Sequence, residues 1–181
     1  MTWSEKAAIL LEMIAQLQQR GSWCGHTHMQ KAVYFLQELF GNFLGYRYVL
    51  YMYGPYSFDL VTDLLRLRAD YLVGLDYKVP GYGPGMVITE FGQRLRQRLK
   101  RVVERHRPVI EFVAQCLAAK NVAELERLAT ALYVTRTCAE STSLEQRAEK
   151  LVELKPRLTV EDALKALREV DDLLAKSKAI K

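Results

Sequence analysis

The chain has 181 residues, 50% of them apolar or aromatic and 26% charged, with a formal charge of +5. That composition describes a folded globular protein of one domain or two small ones and excludes disorder, collagen-like repeats and low-complexity tails. The apolar runs fall short of the ~18 residues of a membrane span, and Glu5 precedes any apolar stretch of signal-peptide kind. Cys24, Cys116 and Cys138 are too few and too scattered for a disulfide framework, so a cytoplasmic protein with reduced thiols is expected.

Thr2 and Glu5 stand at capping-box spacing before Ala8, Leu11, Ile14, Ala15 and Leu17, which predicts a helix from about Ser4 to Arg20, stopped by Gly21. A second start signal, Thr27 with Gln30, precedes Val33, Leu36, Leu39 and Phe40, and Gly41 ends that helix. Tyr46 to Tyr53 is rich in aromatic and β-branched residues with Arg47 its only charge, so it reads as a strand buried on both faces and ended by Gly54-Pro55. Ser57 then caps a helix through Leu60, Val61, Leu64 and Leu65 to about Asp70.

Tyr71 to Val79 and Met86 to Thr89 are extended in pattern, and the glycine-proline connector Pro80 to Gly85 makes them a hairpin. Thr89 caps the helix that follows. Pro108, which lacks an N–H, predicts a break and a subdomain boundary, with 1–107 as one unit and 108–181 as a helical second unit. In the latter, helices are expected from Pro108 to Ala119, after Asn121, from Leu144 to Leu154, and after the Thr159/Asp162 cap through Leu164, Leu167, Val170 and Leu174. The order helix, helix, strand, helix, hairpin, helix is that of a mainly helical α+β, winged-helix-like unit with a small antiparallel sheet and a helical C-terminal extension.

The positive charge is localised. Arg94 to Arg107 holds seven bases against Glu104, so the rest of the chain carries 19 bases against 20 acids. On a single helix Leu95, Leu99, Val102 and Val103 form an apolar stripe, with Arg94, Arg98, Arg101 and Arg105 along one flank and Arg96, Lys100 and Arg107 along the other. Such a row can track phosphates or lie as a solvated, ion-paired face.

Three segments carry a family resemblance: Gln30-Lys31-Ala32-Val33-Tyr34-Phe35-Leu36-Gln37, Tyr53-Gly54-Pro55-Tyr56-Ser57, and Thr89-Glu90-Phe91-Gly92. They resemble the YwgA-type bacterial and archaeal proteins and, more distantly, the SocA-like antitoxin domain called Panacea. The resemblance covers about residues 4 to 107 and extends to Leu128-Ala129-Thr130 and Leu154-Lys155-Pro156. The Panacea resemblance implies a non-enzymatic domain that neutralises a toxin partner.

Read from the residues, Gly54, Pro55 and Ser57 pin a strand-to-helix corner, at which Tyr53 and Tyr56, helped by Lys31 and Tyr34, are candidates to meet a partner. Cys24, His26 and His28 are three metal-ligand types in one loop, but the set lacks a fourth member, so neither a metal nor another cofactor is expected. Asp59 and Asp63, one turn apart, read as solvated acids, and Gly81 to Gly85 lacks the lysine of a phosphate loop. The expected function is a non-enzymatic protein-interaction module, antitoxin-like or regulatory, with a toxin as the partner the resemblance suggests. The alternative is a nucleic-acid-binding regulator using Arg94, Arg98, Arg101 and Arg105. The helix after Ser57 argues against it, because Asp59, Asp63 and Asp70 outnumber Arg66 and Arg68 where DNA would demand positive charge.

Overall fold

A computed structural model describes residues 1–77 and 83–180. Its elements are α1 (Trp3–Gln19), α2 (His26–Phe40), β1 (Val49–Tyr51), β2 (Gly54–Tyr56), α3 (Phe58–Ala69), β3 (Val73–Asp76), β4 (Gly85–Ile88), α4 (Glu90–Arg98), α5 (Lys100–Leu117), α6 (Val122–Thr137), α7 (Leu144–Leu154) and α8 (Val160–Ser177). The fold is α+β and mainly helical, with two small antiparallel sheets of two strands each. Among the described residues no helix is long and apolar enough to cross a membrane.

α1 is the centre of the first half. Every residue from Ala7 to Leu17 is buried, so this helix has no wet face and packs against α5, α4, α2 and β4. Leu10, Leu11, Ile14 and Leu17 are completely covered, each worth roughly 1.5–3 kcal/mol of transfer free energy. The Thr2/Glu5 capping box forms as its spacing predicts. Side-chain caps at Ser57, Thr89, Asn121, Ser143 and Thr159 open α3, α4, α6, α7 and α8. The C-terminal helices α6, α7 and α8 pack on one another, and α6 joins them to α2 and β2.

The structure departs from the sequence expectations at four places. α2 begins at His26 with Gly25 as its N-cap, so Thr27 already lies in the first turn and caps nothing. The expected single strand from Tyr46 to Tyr53 is a hairpin: Val49 pairs with Tyr56 and Tyr51 with Gly54 across a Met52-Tyr53 turn. Gly54, at φ +93°, continues into the second strand rather than ending the first, and Val49 and Tyr51 are exposed rather than buried on both faces. This hairpin does not join β3–β4 in one sheet.

The third departure is Pro108, which lies inside α5 without breaking it, so the expected boundary at 107/108 falls within a continuous helix. Pro108 and Glu104, one turn back, are both exposed; the carbonyl that loses its bond is on the wet side, where water satisfies it. Fourth, the basic segment is interrupted at Leu99, which ends α4 and opens α5 (φ −102°, ψ 28°). The arginine row thus sits on two helices, Arg94 and Arg98 on one and Arg101 and Arg105 on the other. β3 and β4 form the expected hairpin, with Val73 opposite Ile88 and Asp76 opposite Gly85. The part of the connector from Pro80 to Tyr82 is outside the described residues.

Candidate functional site

The Gln30–Gln37 segment of α2 acts on the backbone of residues 46–57. Gln30 donates from Nε2 to the Ser57 carbonyl (2.9 Å) and accepts at Oε1 from the Ser57 amide (3.0 Å). Gln37, two turns on and so on the same face, makes the same pair with Tyr46 (2.9 and 3.0 Å). Between them, Lys31 Nζ donates to the Pro55 carbonyl at 2.8 Å. All three side chains are buried, where each satisfies main-chain groups that would otherwise be stranded away from water. Gln30 and Gln37 have no place among the candidate residues drawn from sequence; polar residues seven apart on an otherwise apolar helix are the signal that could have found them.

Lys31 is 2% exposed, and its amine is pushed down to about 8 by burial, with Glu126 opposing and Lys155 adding to the shift. Such basicity suits a nucleophilic amine, but here the nitrogen is sealed beneath the hairpin. Gly54 lies directly over α6: a Cβ there would stand 2.7 Å from Thr130 Oγ1 and 3.8 Å from Lys31 Nζ. Tyr34 is also buried, its ring centroid 4.9 Å from that of Tyr48, and burial raises its hydroxyl pKa well above the ordinary tyrosine range. The four candidate partner-binding residues are therefore not one surface. Lys31 and Tyr34 hold the hairpin from beneath, Tyr53 is exposed at its turn, and Tyr56 is half-buried beside it.

The hairpin's outer surface is aromatic. Tyr51, Met52, Tyr53 and Phe58 are each more than half exposed, and Val49 adds another open apolar side chain. Tyr51, Tyr56 and Phe58 form a triangle of ring contacts with centroids 5.7, 6.0 and 5.1 Å apart. His26 extends the group, 6.0 Å from Tyr56. Rings gathered on a surface and supported by each other are the composition of interface hot spots rather than of a scattered exposed residue.

The basic run divides by role. Arg96 forks onto Glu12, with Nε 3.1 Å from Oε2, and Arg107 forms an ion pair with the other oxygen at 3.3 Å. Glu12 is fully buried in α1; burial would raise its pKa, but hydrogen bonds from Arg96 and Gln16 and the two guanidinium charges hold it below the ordinary range. Arg94 pairs with Glu90, and Lys100 with Glu104 at 3.5 Å. Arg98, Arg101 and Arg105 are exposed and form no ion pair among the described residues.

Cys24 is buried in a left-handed conformation (φ +51°), with its thiol pushed up to about 12 by burial, while His26 and His28 lie in the first turn of α2. Among the described residues no three His, Cys, Asp or Glu side chains are grouped to hold a metal. Asp59 and Asp63 act separately: Asp59 is 3.6 Å from Arg47, and Asp63 accepts from the Tyr46 hydroxyl at 2.8 Å and pairs with Lys6 at 3.4 Å. No protein-family model matches the chain, and no curated protein is significantly similar to it in sequence. The resemblance to YwgA-type and Panacea proteins therefore rests on the short motifs themselves.

Proposed function

We propose that this chain is a non-enzymatic, cytoplasmic protein-interaction module whose partner docks on the β1–β2 hairpin and the start of α3. The observation that carries this reading is the exposed cluster of Tyr51, Met52, Tyr53 and Phe58, held rigid by buried polar bonds from Gln30, Lys31 and Gln37. A rigid aromatic surface loses little conformational entropy on binding, so its burial is expressed as affinity. An antitoxin-like role, with the partner a toxin, follows from the Panacea resemblance.

The test is co-expression with the protein encoded beside it. Co-purification and restored growth should be lost in a Met52→Asp/Tyr53→Asp variant and kept in an Arg98→Ala/Arg101→Ala variant of equal thermal stability. The opposite pattern would overturn the reading.

A second reading is favoured by one observation, the exposed Arg98, Arg101 and Arg105, which form no ion pair among the described residues and with Arg94 would bind nucleic acid phosphates. It requires that the Arg98→Ala/Arg101→Ala variant flatten the salt dependence of duplex binding by about one slope unit for each arginine removed.

A further inference from the structure

A second site adjoins the aromatic hairpin and shares His26 with it. A cavity of about 490 Å³ opens between the start of α2, the end of α3, the β3–β4 hairpin and the α5–α6 junction. Its volume suits a small organic molecule. Its apolar lining is Trp23, Leu64, Leu65, Leu75, Met86 and Val122. Interspersed with these are Arg68, Lys120, His26 and His28, and among the described residues no Asp or Glu lines it.

Backbone geometry adds to the positive end. The loop before α2 is fastened to β4, since Met86 donates to the Cys24 carbonyl at 3.1 Å and accepts at its own carbonyl from Gln18 at 2.8 Å. With Gly25 as N-cap, α2 has no side-chain cap, and the amides of Thr27 and His28 form no hydrogen bond among the described residues. Helix N-terminal amides beside a cavity favour an anion. His28 is buried in the same lining, with its ring against the Ala118 and Lys120 backbone.

The available charge is small. Lys120 is already paired with Glu169 at 2.6 Å. Burial lowers the pKa of both His26 and His28, favouring neutral rings, although the Lys120 and Ala118 backbone opposes the shift at His28. Arg68 is exposed and forms no ion pair among the described residues. Among the described residues, one guanidinium without an ion pair and one helix terminus match a single negative charge better than a phosphate dianion.

We infer that this cavity binds a monocarboxylic acid with an aromatic or aliphatic body, its carboxylate toward Arg68 and the start of α2 and its body against the apolar side chains of the lining. Isotope-labelled full-length protein titrated with 2-naphthylacetate tests this by amide shifts. Saturable shifts at Ser22 to His28 are expected, with a Kd of about 10–100 µM, and 2-naphthylacetamide should bind about tenfold more weakly. Arg68→Gln, a change at an exposed position, should remove most of that difference while leaving amide binding unchanged. Several results would overturn the inference: no shifts at about 5 mM ligand, equal binding of acid and amide, shifts centred on Tyr51 to Phe58 instead, or tighter binding of inorganic phosphate or AMP.

Discussion

Arg96 grips Glu12 across 84 positions of sequence, and the carboxylate it meets is fully buried in the middle of α1. This bond, with Arg107 on the other oxygen, ties the strongly basic α4–α5 segment into the core. It also accounts for part of a charge excess that reads from sequence as a surface feature. A buried carboxylate is tolerated because two guanidinium groups and Gln16 complete its bonding.

Glu12→Gln should therefore lower stability at neutral pH by about 3 kcal/mol, since it leaves the two arginines facing an uncharged amide. Because the folded pKa of Glu12 is depressed, its contribution is present above the unfolded value near 4.5 and is lost as pH falls through the folded value. Urea unfolding of both proteins should show a gap at about pH 7 that narrows by about pH 3.5. A gap independent of pH would contradict the ion pair.

Lys31 is the converse case. Burial holds its amine at about 8 when folded, against 10.5 ordinarily. Below the folded value both states carry the proton and the folded state bears the cost of a buried charge. Between the two values the unfolded chain keeps the proton that the folded chain has released, so stability rises with pH. Relative to Lys31→Met, which cannot titrate, the wild type should gain about 2–3 kcal/mol between about pH 7.5 and 10. Chemical denaturation at the two pH values measures it, and parallel curves would count against it.

Gly54 and Gly45 share a positive φ, +93° and +76°, but only Gly54 has a neighbour where a Cβ would go. Gly45→Ala should cost about 1 kcal/mol from backbone strain alone. Gly54→Ala adds collision with Thr130 Oγ1 and should cost about 2 kcal/mol more. Thermal melts of the two variants separate strain from collision; equal losses would mean that α6 simply yields.

Tyr34 and Tyr53 lie on opposite sides of the hairpin, and stability should distinguish them. Tyr34→Ala empties a core position and should cost about 3–5 kcal/mol. Tyr53→Ala, at an exposed turn, should change stability by about 0.5 kcal/mol or less. A large loss at Tyr53 would show that its ring holds the fold rather than facing a partner.

What was legible in the sequence is what operates within one helical turn. The side chains of Thr2, Ser57, Thr89, Asn121 and Thr159 cap the amide three residues on, so those helix starts could be read directly. Apolar periodicity placed most of the core for the same reason. Pro108 shows the limit, because the penalty of a proline depends on whether the freed carbonyl meets water, and that is set by which face of α5 packs on α1 and α2.

Everything that defines the candidate sites depends on distant partners. The tyrosine-rich stretch from Tyr46 to Tyr53 has the composition of a buried strand, and Tyr46 does lie in the core, yet Val49 to Tyr53 turn outward because Gln30, Lys31 and Gln37 seize the backbone around them and Gly54 seats on α6. Composition cannot distinguish a ring that fills a core from one propped on a surface. The sequence by itself determined most of the helices, the side-chain caps of α1, α3, α4, α6 and α8, and the apolar stripes, because these follow from interactions between near neighbours. Only the tertiary structure decided which arginines are spent on Glu12, which tyrosines face solvent, and that a cavity forms at the start of α2, because each depends on side chains brought together from separate parts of the chain.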